Sequence, residues 1–255
     1  ETKIHIKRNA AELLRRELMK KNWKPQPVSL SGVTDAYQPV EQKLRITRGV
    51  IEVLAEFRNP VGIITKNALI ARDIDLLSEL AKYQACSVNI SITALDDNIR
   101  RLMEPRTSTI DKRFEAVKKL REAGIPTGVM LAPIVPGLTC QDIPKLVERA
   151  KDAGALWVNM IPLRLPRAVS ELFDNWLQEH FPMRRNKVLN RVADMRGQTL
   201  NDNRVFKRMK GEGKWAEELN ALFRLSKHKH GFESGADPSL NANAFRRPGS
   251  TKSMF

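Results

Sequence analysis

The residues best equipped for chemistry stand just after short apolar runs. After Val28–Ser31 comes GVTDAYQPVE, Gly32 to Glu41, which sets Thr34, Asp35, Tyr37 and Glu41 close together. Lys66 follows Val61–Thr65. In VNISITALDD, Ser91 and Thr93 alternate with Ile90 and Ile92, so in extended backbone the two hydroxyls share one face. MEPRTST, Met103 to Thr109, adds Glu104 and Arg106, and Arg164 follows Trp157–Pro162. This set suits a ligand carrying a carboxylate, an amine and hydroxyls. Lys66 can neutralise the carboxylate, Asp35 or Glu41 can accept an ammonium, and Ser91 can bond a ribose or carboxylate. Plainer readings stand beside these. Thr34 and Asp35 can cap a turn, Lys66 can be a solvated charge, Ser91 can satisfy a neighbouring backbone group, and Glu104 can pair with Arg106.

Such residues need a scaffold that brings strand ends together. Five apolar runs read as buried parallel strands: Val28–Ser31, Val61–Thr65, Ser87–Thr93, Thr127–Ala132 and Trp157–Pro162. Between them lie amphipathic helical patterns at Glu41–Phe57, Ala71–Tyr83, Ile110–Ala123 and Asp142–Ala153. Ala123-Gly124 and Ala153-Gly154 end two helices on a residue suited to the left-handed cap, and a strand follows each time. This is the rhythm of repeated βα units, and its spacing fits a barrel or part of one, with chemistry at the C-terminal strand ends. Ala10–Met19 predicts a preceding helix, and KIHIK, residues 3–7, is a possible short strand. After Pro166 the strand signal stops, and helices are expected at Arg167–Glu179, Asn186–Met195 and Trp215–His228. From Phe232 onward the chain reads as flexible, or pinned only by a partner. The expected division is a barrel portion over 1–166, a basic helical extension over 167–231 and a tail over 232–255.

The chain has 255 residues and a net charge of +15, and residues 164–255 carry 18 of its 44 basic groups. Met183–Lys210 is densest, with nine basic residues against Asp194 and Asp202. Such a surface draws phosphates through long-range attraction and counterion release, so DNA or RNA is a candidate partner; a solvated helix face is the plainer reading. The uncharged stretch Ala123–Cys140 is broken by Pro126, Pro133 and Pro136, so no membrane partner is expected, and no signal pattern opens the chain. A cytoplasmic location is the expectation. His5, His180, His228 and His230 stand beside no nucleophile, and no phosphate-binding loop is present.

These same residues resemble the radical S-adenosylmethionine (SAM) superfamily, and within it the branch related to spore photoproduct lyase, known as DNA repair photolyase-like. The segments that carry the resemblance are TDAYQPVE, ITKNALIARD, VNISITALDD, MEPRTST, REAGIPTGVMLAPIVPGLT and LRLP, continued by ADMRG and RMKGEG. The resemblance implies an α/β fold: a partial parallel (β/α)6 barrel lacking its first unit, followed by the helical extension. It implies SAM as cofactor, and a [4Fe-4S] cluster held by CxxxCxxC cysteines that generates a 5′-deoxyadenosyl radical. It also implies a reductant such as flavodoxin or ferredoxin. Carried over, Thr34, Lys66 and Ser91 match residues that approach SAM. Tyr37 and Glu41 belong to the subgroup's own pattern, and Glu104 and Arg106 fall near the same pocket. With Asp35, Thr93 and Arg164 they form the expected cofactor-binding set.

Two features depart from the family pattern. The only cysteines, Cys86 and Cys140, are far apart and make no CxxxCxxC motif; that motif is expected upstream of Glu1, leaving this chain inactive alone. Gly32 stands where the lyase has a hydrogen-donating cysteine, which argues against repair of the spore lesion. The leading expectation is a radical SAM enzyme of lyase or oxidoreductase type acting on nucleic acid. The rivals are a nucleic-acid-binding barrel that has lost its cluster, and an unrelated parallel-barrel enzyme for a phosphorylated small molecule.

Overall fold

Five parallel strands lie side by side in chain order: β1 (Val28–Leu30), β2 (Val61–Thr65), β3 (Cys86–Ser91), β4 (Thr127–Ile134) and β5 (Val158–Pro162). The structure is a computed structural model that describes residues 4–30, 34–166, 168–197, 211–232 and 238–249. The order β1-β2-β3-β4-β5 with every pair parallel is an open, singly wound sheet, as a partial barrel requires. All five strands coincide with the runs expected from sequence to within a few residues. Ser31 lies outside the described residues, and residues 4–7 form no strand.

Side chains alternate across this sheet. Val61, Ile63, Val88, Ile90, Val129, Leu131 and Val158 point one way and are fully buried. They pack under α1 (Ala10–Met19), α3 (Ile46–Phe57), α4 (Ile74–Ala81), α6 (Ile110–Glu122) and α7 (Ile143–Asp152), forming the main core. In register on the other face stand Gly62, Ser87, Asn89, Ser91, Gly128, Met130 and Asn159. That concave face is mixed, with Ile64 and Met130 beside its polar side chains. At its β4–β5 side Trp157 lies across Gly128 and donates from Nε1 to Asn89 Oδ1 at 2.8 Å. A Cβ on Gly128 would stand 2.2 Å from the indole ring, so the bare backbone is what admits the tryptophan.

The helices follow their patterns, with informative differences. Gly124 and Gly154 adopt φ of 76° and 80° and stop α6 and α7. The pattern Glu41–Phe57 predicts one helix; the chain instead makes α2 (Glu41–Leu44), turns through Arg45 at φ 52°, and restarts as α3. The Glu41 carboxylate explains the restart, because it accepts from the backbone N–H of Ile46 and Thr47 at 3.1 and 3.0 Å. Before α4 the chain winds as a 3-10 turn over Ala68–Asp73. A short helix that periodicity does not reveal, α5 (Asp97–Met103), is capped by Asp96, which accepts from Asn98 N at 2.7 Å.

The extension sits on the strand-end rim. Helices α8 (Val169–His180) and α9 (Pro182–Asp194) share a second core with Ala94, Val135, Leu138, Leu163 and Leu165 from the loops after β3, β4 and β5. The helix α10 (Gly213–Lys229) packs on α7 and α9. Of the basic segment Met183–Lys210, residues 198–210 lie outside the described residues. Within the tail, residues 238–249 contact the rest of the chain. Asn241 N donates to Gln84 O at 2.9 Å, Arg246 N to Phe57 O at 2.8 Å, and Phe245 packs on Phe57. No described helix is long and apolar enough to cross a membrane.

Candidate active site

Three carboxylates, one half-buried and two buried, organise the C-terminal ends of β1, β2 and β3. The first is Asp35, just beyond β1. Its Oδ1 accepts from Tyr37 N at 2.9 Å and Thr65 Oγ1 at 2.7 Å, and its Oδ2 from Lys66 N at 2.7 Å. The turn Thr34–Tyr37 is thereby fastened to the end of β2. Next, Thr65 Oγ1 takes Asn67 N, and Asn67 Oδ1 takes Leu69 N and Ser108 Oγ, each at 3.0 Å. The loops after β1, β2 and β3 form one connected rim.

The second carboxylate, Glu104, follows α5. Its Oε1 receives the Lys66 ammonium at 2.5 Å and Thr93 Oγ1 at 2.7 Å, while Oε2 receives Arg113 Nη2 at 2.8 Å. Arg113, on α6, is fully buried. Its other donors reach Ser91 O at 2.8 Å and Ser108 O at 2.9 Å, and it also meets Thr107 Oγ1. Burial alone would push the Glu104 carboxyl up, but Lys66 and Arg113 outweigh that and hold it below the usual carboxylate range.

The third carboxylate, Asp73, closes the 3-10 turn. It accepts from Tyr37 Oη at 3.2 Å and Arg48 Nη1 at 3.0 Å, and from Arg72 Nε and Nη2, both at 2.9 Å. Burial first, and Asp73 second, push the Tyr37 phenol far above its ordinary value, so it stays a donor. Arg72 also reaches Glu41 Oε1 at 3.1 Å.

The ten sequence-selected residues therefore divide by surroundings. Thr34, Asp35, Tyr37 and Arg106 line one open cleft of about 710 Å3, with His5, Asn67 and Thr107. Half-buried Lys66 bonds to Glu104, which with Thr93 is buried. Ser91 ends β3 on the concave face, 4% exposed, and its hydroxyl has no hydrogen-bond partner among the described residues. Glu41 lies outside the cleft lining. Both its oxygens are committed to the α3 N-terminus and Arg72, so it acts as a cap rather than as the expected ammonium acceptor. Asp35 is committed in the same way. Glu104 pairs with Lys66 and Arg113, not with Arg106. Arg164 follows β5, half-buried. Glu41→Ala removes two capping acceptors and an arginine partner; a loss of about 1–3 kcal/mol in chemical denaturation is expected.

Sequence reading missed Arg113 and Asn89. The signal for Arg113 was present: it falls on the buried stripe of α6 with Ile110, Phe114, Val117 and Leu120. Asn89 continues the polar alternation Ser91–Thr93 back along β3.

Neither cysteine belongs to this rim as a cluster ligand. Cys86 opens β3 at the opposite end of the sheet, buried, with Sγ donating to Leu77 O at 3.3 Å and its thiol pushed up to about 12 by burial. Cys140 lies in the loop after β4. No group of three or more His, Cys, Asp or Glu among the described residues could hold a metal ion.

Known proteins share this architecture. Uncharacterised proteins of Mycobacterium tuberculosis and Mycobacterium bovis are 33% identical over 184 residues, 71% of this chain and 54% of theirs. The chain thus spans about half the length of these relatives. A Pseudomonas phage M6 protein named radical SAM Nα-GlyT isomerase is 27% identical over 126 residues, 49% of this chain and 25% of its own. Among solved structures, spore photoproduct lyase complexed with dinucleoside spore photoproduct matches with a TM-score of 0.56 at 14% identity, over 89% of this chain and 65% of that one. A lyase variant with bound AdoMet and the same dinucleoside matches with a TM-score of 0.53 at 15% identity, over 89% of this chain and 65% of its own. At these identities the likeness is one of fold. A family model described as Radical SAM superfamily matches residues 4–150. With that match on a parallel, singly wound βα sheet, the chain belongs to the radical SAM superfamily.

Proposed function

We propose that this chain forms the SAM-binding cradle of a radical SAM enzyme that acts on nucleic acid. The observation that carries the reading is Ser91: a residue 4% exposed whose hydroxyl has no hydrogen-bond partner among the described residues and keeps access to solvent, at the end of β3 and one strand from Lys66. A ligand that reaches this hydroxyl gains a hydrogen bond without breaking one inside the protein. Thr34, Lys66 and Ser91 end three adjacent strands, and together they would hold the cofactor's polar groups. Glu104 and Arg113 fix Lys66 in place, and Asp35 fixes the turn that carries Thr34. Trp157 closes part of the concave face against water.

SAM supplies, in this family, a deoxyadenosyl radical that abstracts hydrogen. The cluster that starts that chemistry does not fit Cys86 and Cys140, which lie at opposite ends of the sheet. On this reading the cluster thiolates come from outside the 255 residues, and this chain alone binds SAM without cleaving it. Nucleic acid as substrate is supported by the basic extension seated on the strand-end rim, and by the neighbour structure that holds a dinucleoside photoproduct.

Equilibrium dialysis of this chain with labelled SAM tests the cradle. Saturable binding is expected, weakened about three- to tenfold by Ser91→Ala with the unfolding midpoint unchanged, the range set by one lost hydrogen bond. No saturable binding sinks the proposal. A longer protein that carries both this chain and three clustered cysteines should, after anaerobic reconstitution, form 5′-deoxyadenosine. The second reading, a nucleic-acid-binding barrel without catalysis, rests on the basic extension and predicts no SAM binding.

A further inference from the structure

Away from the Thr34–Arg106 cleft, a second cleft of about 450 Å3 opens between the loop after β4 and α9, with Leu222 of α10 at its edge. Gly137, Cys140 and Gln141 line one side; Arg184, Lys187 and Arg191 line the other. The three cations recur at spacings of three and four, which places them on one face of α9. None of the three side chains has a hydrogen bond or a carboxylate partner among the described residues, in contrast to Arg185 on the same helix, which grips Asp174 with two bonds.

Arg191 is also held rigid. Its guanidinium carbon lies 3.6 Å from the centroid of the Trp215 ring. Its Nη1 approaches Gly137 so closely that a Cβ there would stand 3.1 Å away, and Gly137 has a φ of 85°. The stacked arginine keeps its donors uncommitted. A planar fork fixed in place, with two further cations beside it, matches a phosphate group in charge and in geometry. Three like charges around one recess repel one another until an anion sits among them.

We infer that this cleft binds a backbone phosphodiester of the substrate strand and so anchors a polynucleotide beside the strand-end rim. The inference rests on the nucleic-acid reading above and gives it a location.

The test is fluorescence anisotropy of a labelled single-stranded oligothymidylate with this chain over a range of salt. The triple variant Arg184→Gln, Lys187→Gln, Arg191→Gln should bind at least about tenfold more weakly at low salt. Its slope of log affinity against log salt should flatten by about 0.7, the loss expected for one neutralised phosphate on a single strand. A control variant removes the same charge from the outer helix α6 (Lys112→Gln, Lys118→Gln, Lys119→Gln) and should bind as the parent does. Circular dichroism melting confirms that each variant folds. Equal losses in both variants, no loss in the first, or no binding by the parent overturns the inference. Competition with inorganic phosphate and thymidine monophosphate separates the sources. If these bind in a manner sensitive to Arg191 while the oligonucleotide ignores all three cations, the polymer assignment falls. No arm requires the cluster, so failure to form deoxyadenosine leaves the result standing.

Discussion

Glu104→Gln is expected to lower stability by about 3–5 kcal/mol, because it strips the counter-charge from a buried arginine that has no route to water. Arg113 is fully buried, and Glu104 is its only carboxylate partner among the described residues. Its remaining acceptors are the neutral carbonyls of Ser91 and Ser108 and the Thr107 hydroxyl. Lys66 loses its anchor in the same substitution, so SAM binding should weaken along with the fold. The acid limb of the stability profile gives an independent reading. The native carboxyl sits below its ordinary value of 4.5. Its contribution is therefore complete above that value and fades as pH falls through the lower native pKa. Urea denaturation of the parent between neutral pH and about pH 3 should show this loss as part of its acid dependence, and the Gln variant should lack that part. Parallel acid limbs in the two proteins would show that Glu104 is not charged in the native state.

The second large effect is steric. Gly128→Ala places a methyl group 2.2 Å from Trp157 Cε2 and Nε1, inside any permissible contact. The indole must leave the concave face, breaking its bond to Asn89 and uncovering the sheet. A loss of about 3 kcal/mol is expected, at the upper end of overpacking costs. For a chain of this size that corresponds to a fall in melting temperature of roughly 6–12 °C. Trp157→Leu should itself cost about 2–4 kcal/mol, as large-to-small core changes do. The double variant should cost clearly less than the sum, because the smaller side chain vacates the space the methyl needs. Strict additivity would show that the clash is relieved elsewhere.

Much of the scaffold was legible along the chain. Every strand lies where an apolar run predicts it, because a strand buried against helices needs nothing beyond a local run of such residues. The helix ends at Gly124 and Gly154 were legible for the same local reason. The pairing of Ser91 with Thr93 is a matter of period two, and it correctly set Ser91 on the concave face. Thr93 falls beyond the last strand residue, and its hydroxyl turns to Glu104.

The partnerships were not legible. Glu41 looked like a ligand residue because a carboxylate near a strand end is chemically suggestive. Its actual work is to restart a helix five residues on, which required Arg45 to take a left-handed turn. Asp35 reaches Thr65, thirty residues away, and Glu104 reaches Lys66 at a separation of thirty-eight. No local pattern encodes such distances. Arg113 shows the point best: on the chain it is one basic residue among several in a helix, and only the packing of α6 over β3 buries it.

The sequence by itself determined the parallel βα order, the residues at each strand end, the lack of a three-cysteine motif and the basic bias of the extension. These follow from side-chain period, composition and count, which are properties of the chain alone. The tertiary structure decided which of those strand-end groups are free to meet a ligand. It consumed Glu41, Asp35 and Glu104 in internal bonds and left the Ser91 hydroxyl unpaired. It also brought Arg184, Lys187 and Arg191 to one recess. The physical reason is that a buried charge must find its partner wherever the fold places one, and the order of residues along the chain does not record that distance.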